Sequence, residues 1–148
     1  MNGTIFITND DGIYSAGITS IEESLNKRKI PFFTCAPLYE NSGAGHSITL
    51  DKPLKVKKFS ENRYSVTGTP TDSVFIGLNA LIKEKPLFAV SGINKGANLG
   101  NDITYSGTVA AAIETFYNGI TSFAVSLYIT DHALFSDELF TECAQILF

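Results

Sequence analysis

Short apolar runs rich in β-branched and aromatic residues alternate along this chain with segments of helical periodicity, and that alternation limits the fold more than any other feature. Thr4-Ile-Phe-Ile-Thr8 reads as a strand, and Gly17 to Lys27 follows with Ile18, Ile21 and Leu25 at helical spacing. Pro31 to Ala36 reads as a second strand, closed by Pro37. Leu54 to Phe59 and Arg63 to Thr67 read as two strands around a turn at Glu61-Asn62. Pro70 to Ile82 carries Val74, Leu78 and Leu81 on one helical face, Leu87 to Val90 reads as a buried strand, and Gly92 to Gly100 as a Gly/Asn loop. Thr108 to Tyr117 is helical and Ser122 to Leu127 is the last strand. Such alternation predicts an α/β fold: three layers, α/β/α, with a mostly parallel, Rossmann-like sheet covered on both faces, plus a β-hairpin.

The length of 148 residues fits one domain, taken here as residues 1–148. With 44% hydrophobic and 18% charged residues, the chain is too apolar and too weakly charged for intrinsic disorder. A net charge of -4 argues against DNA as a partner, because duplex binders are usually basic. No apolar run approaches the roughly 18 residues of a membrane helix. No basic, apolar leader opens the chain, so a cytoplasmic location is expected. Cys35 and Cys143 have no metal-type spacing and read as buried free thiols. Lys52, Lys55, Lys57 and Lys58 read as a solvated strand face.

Several chemistries are missing their parts. Only His46 and His132 exist and no G-x-S-x-G occurs, which argues against a Ser-His-Asp hydrolase and against a zinc site. The Ser42-Gly43-Ala44-Gly45-His46 loop has Ile48 where a dinucleotide fingerprint needs its third glycine. Lys95 precedes Gly96 with no Gly-Lys-Ser/Thr, so a Walker A loop is absent too.

What remains gathers at the carboxyl ends of the strands, where open α/β sheets bind ligands. Asn9-Asp10-Asp11-Gly12 follows the first strand. Adjacent carboxylates repel, and a hard divalent cation would relieve them; the alternative is a solvated turn with an Asp helix cap. Ser42 offers an oxygen ligand or belongs to a flexible turn. The loop from Ser91 to Asp102 has Gly92, Gly96 and Gly100 with Asn94 and Asn98 between them, either a ligand cradle or a long Asn/Gly turn. Tyr105-Ser106-Gly107-Thr108-Val109 opens a helix whose free N–H groups suit an anion, or simply carries a Ser or Thr cap. Taken together these are oxygen ligands for one Mg²⁺ or Mn²⁺ ion beside a phosphate cradle.

These motifs resemble those of the SurE family of stationary-phase survival proteins, which are metal-dependent nucleotidases. The resemblance is carried by Thr8-Asn9-Asp10-Asp11-Gly12-Ile13, Ser42-Gly43, Gly68-Thr69-Pro70-Thr71-Asp72-Ser73-Val74, and Ser91-Gly92-Ile93-Asn94 through Thr108-Val109-Ala110-Ala111. It implies a phosphomonoesterase acting on nucleoside 5′- or 3′-monophosphates through a metal-activated water. It also implies Asp10, Asp11, Ser42 and Asn94 as metal ligands, and Asn98, Ser106, Gly107 and Thr108 as substrate-binding residues. Asp10 and Asp11 are then the catalytic pair. The Gly68 to Asp72 segment is expected to cap a helix through Thr69 or Thr71 and to shape the site.

Two departures are visible. Leu38 stands where the family usually has Asp. Leu139, Phe140, Cys143, Ile146 and Leu147 form an apolar helical face that ends at Phe148 with no C-cap, as expected of a chain truncated at its C-terminus. The resemblance implies that family members continue past this point, with homo-oligomer contacts and a histidine implicated in catalysis. A nucleotide- or phosphate-binding fragment without turnover is therefore the alternative expectation.

Overall fold

The structure, a computed structural model, describes residues 3–130 and 135–148; His132 lies outside the described residues. Its sheet has six strands in the order β3-β4-β2-β1-β5-β6. They are β1 (Ile5–Thr8), β2 (Phe32–Pro37), β3 (Val56–Ser60), β4 (Arg63–Val66), β5 (Phe88–Lys95) and β6 (Ser122–Leu127). β3 and β4 form an antiparallel hairpin and every other pairing is parallel. The chain leaves β1 in one direction through β2 and β4, then returns to add β5 and β6 on the other side. The crevice between β1 and β5 is thus the point of reversal, where sheets of this kind receive ligands.

β1 sits at the centre because it can bury both faces. Ile5 and Ile7 join one apolar cluster and Phe6 the other, all with no exposed surface. The Ile5/Ile7 side is covered by α1 (Ala16–Lys27), through Ile18, Ile21 and Leu25, and by α4 (Glu138–Leu147), through Phe140 and Ala144. The Phe6 side is covered by α2 (Pro70–Ile76), through Val74, and by α3 (Gly107–Tyr117), through Ala111. Glu22 of α1 is nearly buried, and its carboxylate accepts from Arg63 Nε of β4 at 2.9 Å and from Thr34 Oγ1 of β2 at 2.8 Å. Arg63 also donates to the Ile13 carbonyl at 2.6 Å, fastening the segment that follows β1.

Three expectations change. β5 runs on to Lys95, so Gly92 to Lys95 is strand rather than loop. Gly92 lets it do so, because a Cβ there would stand 2.4 Å from the Val125 carbonyl oxygen of β6. The helix from Pro70 is α-helical only to Ile76 and widens into a π-turn over Gly77–Leu81. Cover is also thinner over β6, where Phe123 is half exposed beside an apolar groove of about 560 Å³. The β3 lysines are exposed as expected, and Cys35 is buried while Cys143 is only half-buried. Among the described residues no helix is long and apolar enough to cross a membrane.

Candidate functional site

Asp10 and Asp11 leave the carboxyl end of β1 in a turn that Asn9 braces from inside. Asn9 is fully buried; its Nδ2 donates to the Gly12 carbonyl at 3.0 Å and to Ser15 Oγ at 2.7 Å, and its Oδ1 accepts from the Gly12 amide at 3.2 Å. Ser15, not an aspartate, is the N-cap of α1, and Asp10 is 5% exposed. The solvated turn with an Asp cap is therefore not what forms. A second buried brace is the Gly68 to Asp72 segment: Thr69 caps α2 by accepting from the Asp72 amide, and Asp72 accepts in turn from the Thr69 and Thr49 amides and from Thr49 Oγ1. It fastens the loop that carries Ser42 to α2.

Strand order brings the distant motifs to this turn. Thr8 of β1 pairs in register with Ser91 of β5, so Asn94 and Lys95 arrive beside the carboxylates. The Lys95 amide donates to Asp11 Oδ2 at 3.3 Å across 84 residues of sequence. From the other flank the Asn41 amide donates to the Asp10 carbonyl at 2.8 Å. The result is an open cavity of about 440 Å³ bordered by Asp10, Asp11, Ser42, Asn94, Asn98 and Ser106.

Gly107 and Thr108 take a different place from the other expected site residues. Thr108 has no exposed surface, and its hydroxyl donates to Asp10 Oδ1. Gly107 packs so closely that a Cβ would stand 2.7 Å from Asp10 Cβ. The start of α3 thus grips Asp10 directly. Ser106 caps α3 by accepting from the Val109 amide at 3.1 Å, which leaves its own O–H proton available to the cavity. Asn98 Nδ2 donates to Ser126 Oγ at 2.7 Å, and Asn94, which borders the cavity, donates from Nδ2 to the Gly96 carbonyl at 2.9 Å.

Electrostatics make the pair reactive toward cations. Burial raises the Asp10 carboxyl above its usual value, against the lowering effect of the Thr108 hydrogen bond. Burial, and then the charge of Asp10, pushes Asp11 up to about 6. Glu40 raises both further. Two desolvated carboxylates with a hydroxyl and an amide oxygen on the same cavity are hard oxygen donors of the kind that divalent cations prefer. Among the described residues no group of three His, Cys, Asp or Glu side chains could hold a metal ion, so a cation here would need neutral oxygens such as those of Ser42 and Asn94.

Glu40, which lies outside the motifs, also borders the cavity, as do Lys95, Asp102 and Tyr105, which lie within them without an expected role. Glu40 lies two residues before Ser42, so proximity to that motif was the available signal.

The family model for the survival protein SurE matches residues 5–147. Over 135 residues the chain is 49% identical to a 5′-nucleotidase SurE of Erythrobacter litoralis, covering 88% of this chain and 54% of that protein. Over 146 residues it is 40% identical to a 5′-nucleotidase SurE of Allorhizobium ampelinum, covering 97% and 57%. The crystal structure of the SurE protein from Aquifex aeolicus superposes with a TM-score of 0.84 at 41% identity, covering 97% of this chain and 58% of that one. The chain spans about half the length of the curated relatives it matches.

Proposed function

The chain belongs to the SurE family, and from that premise we propose that it is a metal-dependent phosphomonoesterase that hydrolyses nucleoside 5′- or 3′-monophosphates to nucleoside and phosphate. The observation that carries the reading is the desolvated Asp10–Asp11 pair at the reversal point of the sheet, on the same cavity as Ser42 and Asn94. Asp10, Asp11, Ser42 and Asn94 would hold one Mg²⁺ or Mn²⁺ ion. When bound, such an ion supplies Lewis acidity to a phosphate oxygen and lowers the pKa of a water toward neutrality.

The protein's own groups do the rest. Asp10 is held by Thr108 and anchors the site. Asp11 is the less enclosed of the two and orients the attacking water. The Ser106 hydroxyl and the Asn98 amide would face the phosphate, with the positive end of α3 behind them, while the amide and hydroxyl of Thr108 both serve Asp10. Water oxygen bonds to phosphorus as it gives up a proton, the P–O bond to the nucleoside breaks, and the departing oxygen takes a proton from solvent to leave as the alcohol.

Phosphate release from AMP and GMP, measured with Mn²⁺ and with EDTA, tests this. Release that disappears with EDTA and in Asp11→Asn is the expected result. A folded chain that binds Mn²⁺ and nucleotide but releases no phosphate supports a binding module instead, and metal-independent release refutes the site.

A further inference from the structure

Two more carboxylates border the cavity, Glu40 and Asp102, and Glu40 touches a proposed ligand. Ser42 Oγ donates to Glu40 Oε1 at 2.6 Å. Asn41, between them, is fastened on both sides: its amide donates to the Asp10 carbonyl at 2.8 Å and its Nδ2 donates to the Tyr39 carbonyl at 2.8 Å. The backbone that carries Glu40 and Ser42 is therefore tied to the turn that carries the aspartate pair.

We infer that Glu40 is a positioning residue that acts through Ser42, holding its hydroxyl so that oxygen, and not hydrogen, faces a cation in the cavity. The inference rests on the metal-site reading above. A serine hydroxyl has one proton and two lone pairs, and a free one can turn its proton toward the cation position. Committing that proton to a carboxylate removes this orientation. The bond is short, which holds the hydroxyl in that one orientation. Glu40 is exposed, so this arrangement contributes little to the packed core.

Mn²⁺ titration by calorimetry, with free Mn²⁺ followed by electron paramagnetic resonance, separates this role from others. Glu40→Ala is expected to weaken Mn²⁺ binding roughly 10–100-fold, the usual effect of removing the partner of a metal ligand. Glu40→Gln keeps an acceptor oxygen at the same reach and is expected to stay within about fivefold of the parent chain. In a Ser42→Ala background, removing Glu40 should change affinity no further. Melting in EDTA should not fall in the Glu40 variants, because the carboxylate is exposed and its removal relieves the aspartate pair. Parent-like affinity in Glu40→Ala overturns the inference. So does a loss in Glu40→Gln as large as in Glu40→Ala, since charge and not the hydrogen bond would then be responsible. A parent chain that binds no Mn²⁺ overturns both this inference and the reading beneath it. Parent binding that Asp11→Asn abolishes and Glu40→Ala leaves intact overturns this inference alone.

Discussion

Replacing Asp11 by Asn should make the metal-free protein more stable while abolishing its response to metal. The Asp11 carboxyl titrates near 3.8 ordinarily and at about 6 in the fold. Between those values the native state holds more protons than the unfolded state, so stability falls as pH rises through that window and stays low above it. The gap of about 2 corresponds to about 3 kcal/mol at pH 7.5. Asp11 is partly solvated, and screening reduces this to about 1–2 kcal/mol. Asparagine keeps an oxygen for the Lys95 amide, so the hydrogen bond across the crevice can survive. In EDTA at pH 7.5 the variant should melt about 3–6 °C above the parent chain. Mn²⁺ at about 100 times its Kd should add about 2.7 kcal/mol to the parent and nothing to the variant, so the order of melting reverses. Far-ultraviolet circular dichroism is the assay, since the chain has no tryptophan. Below pH 4 the difference in EDTA should close. A variant less stable than the parent in EDTA at pH 7.5 would refute the desolvated pair, and equal stabilisation by Mn²⁺ would refute Asp11 as a ligand.

Other perturbations test other links. Mn²⁺ affinity of the parent chain should fall about tenfold per pH unit below about 6, because a cation must displace the Asp11 proton, and calorimetry across pH 4.5–7.5 would read that slope. Gly107→Ala should cost about 1–3 kcal/mol in denaturant unfolding and weaken Mn²⁺ binding, because its Cβ would drive Asp10 from its place. Arg63→Met should cost about 2–4 kcal/mol, since it leaves the nearly buried Glu22 without its cation and frees the Ile13 carbonyl; chemical denaturation measures it.

The alternation of apolar runs and helical faces was enough to place every strand and α-helix of the sheet's three layers, apart from the far end of β5 and the π-turn that ends α2, because propensity and periodicity act over neighbouring positions. A helix cap at Thr69 or Thr71 was legible for the same reason, since a capping box needs only residues three apart; the structure decides for Thr69. Where local signals and tertiary packing disagreed, packing decided. Gly92 to Lys95 looks like a loop in isolation, yet it continues β5 because β6 pairs with it beyond the end of β1, Asn94 with Ser126 and Lys95 with Leu127.

The candidate ligands Asp10, Asp11, Ser42 and Asn94 were likewise visible as residue types in motifs. Their chemistry was not. Strand order alone sets the β5 segment beside Asp11, and burial by elements far apart in sequence raises the two carboxyl pKa values. Thr108 shows the difference most plainly. Its place in a helix start suggested a phosphate contact, whereas the fold turns its hydroxyl onto Asp10. Sequence determines which groups are present and what local structure they begin or end, because those forces reach only a few residues. Which groups meet, and how strongly each is desolvated, depends on contacts between residues 84 to 98 positions apart, and only the folded chain supplies those.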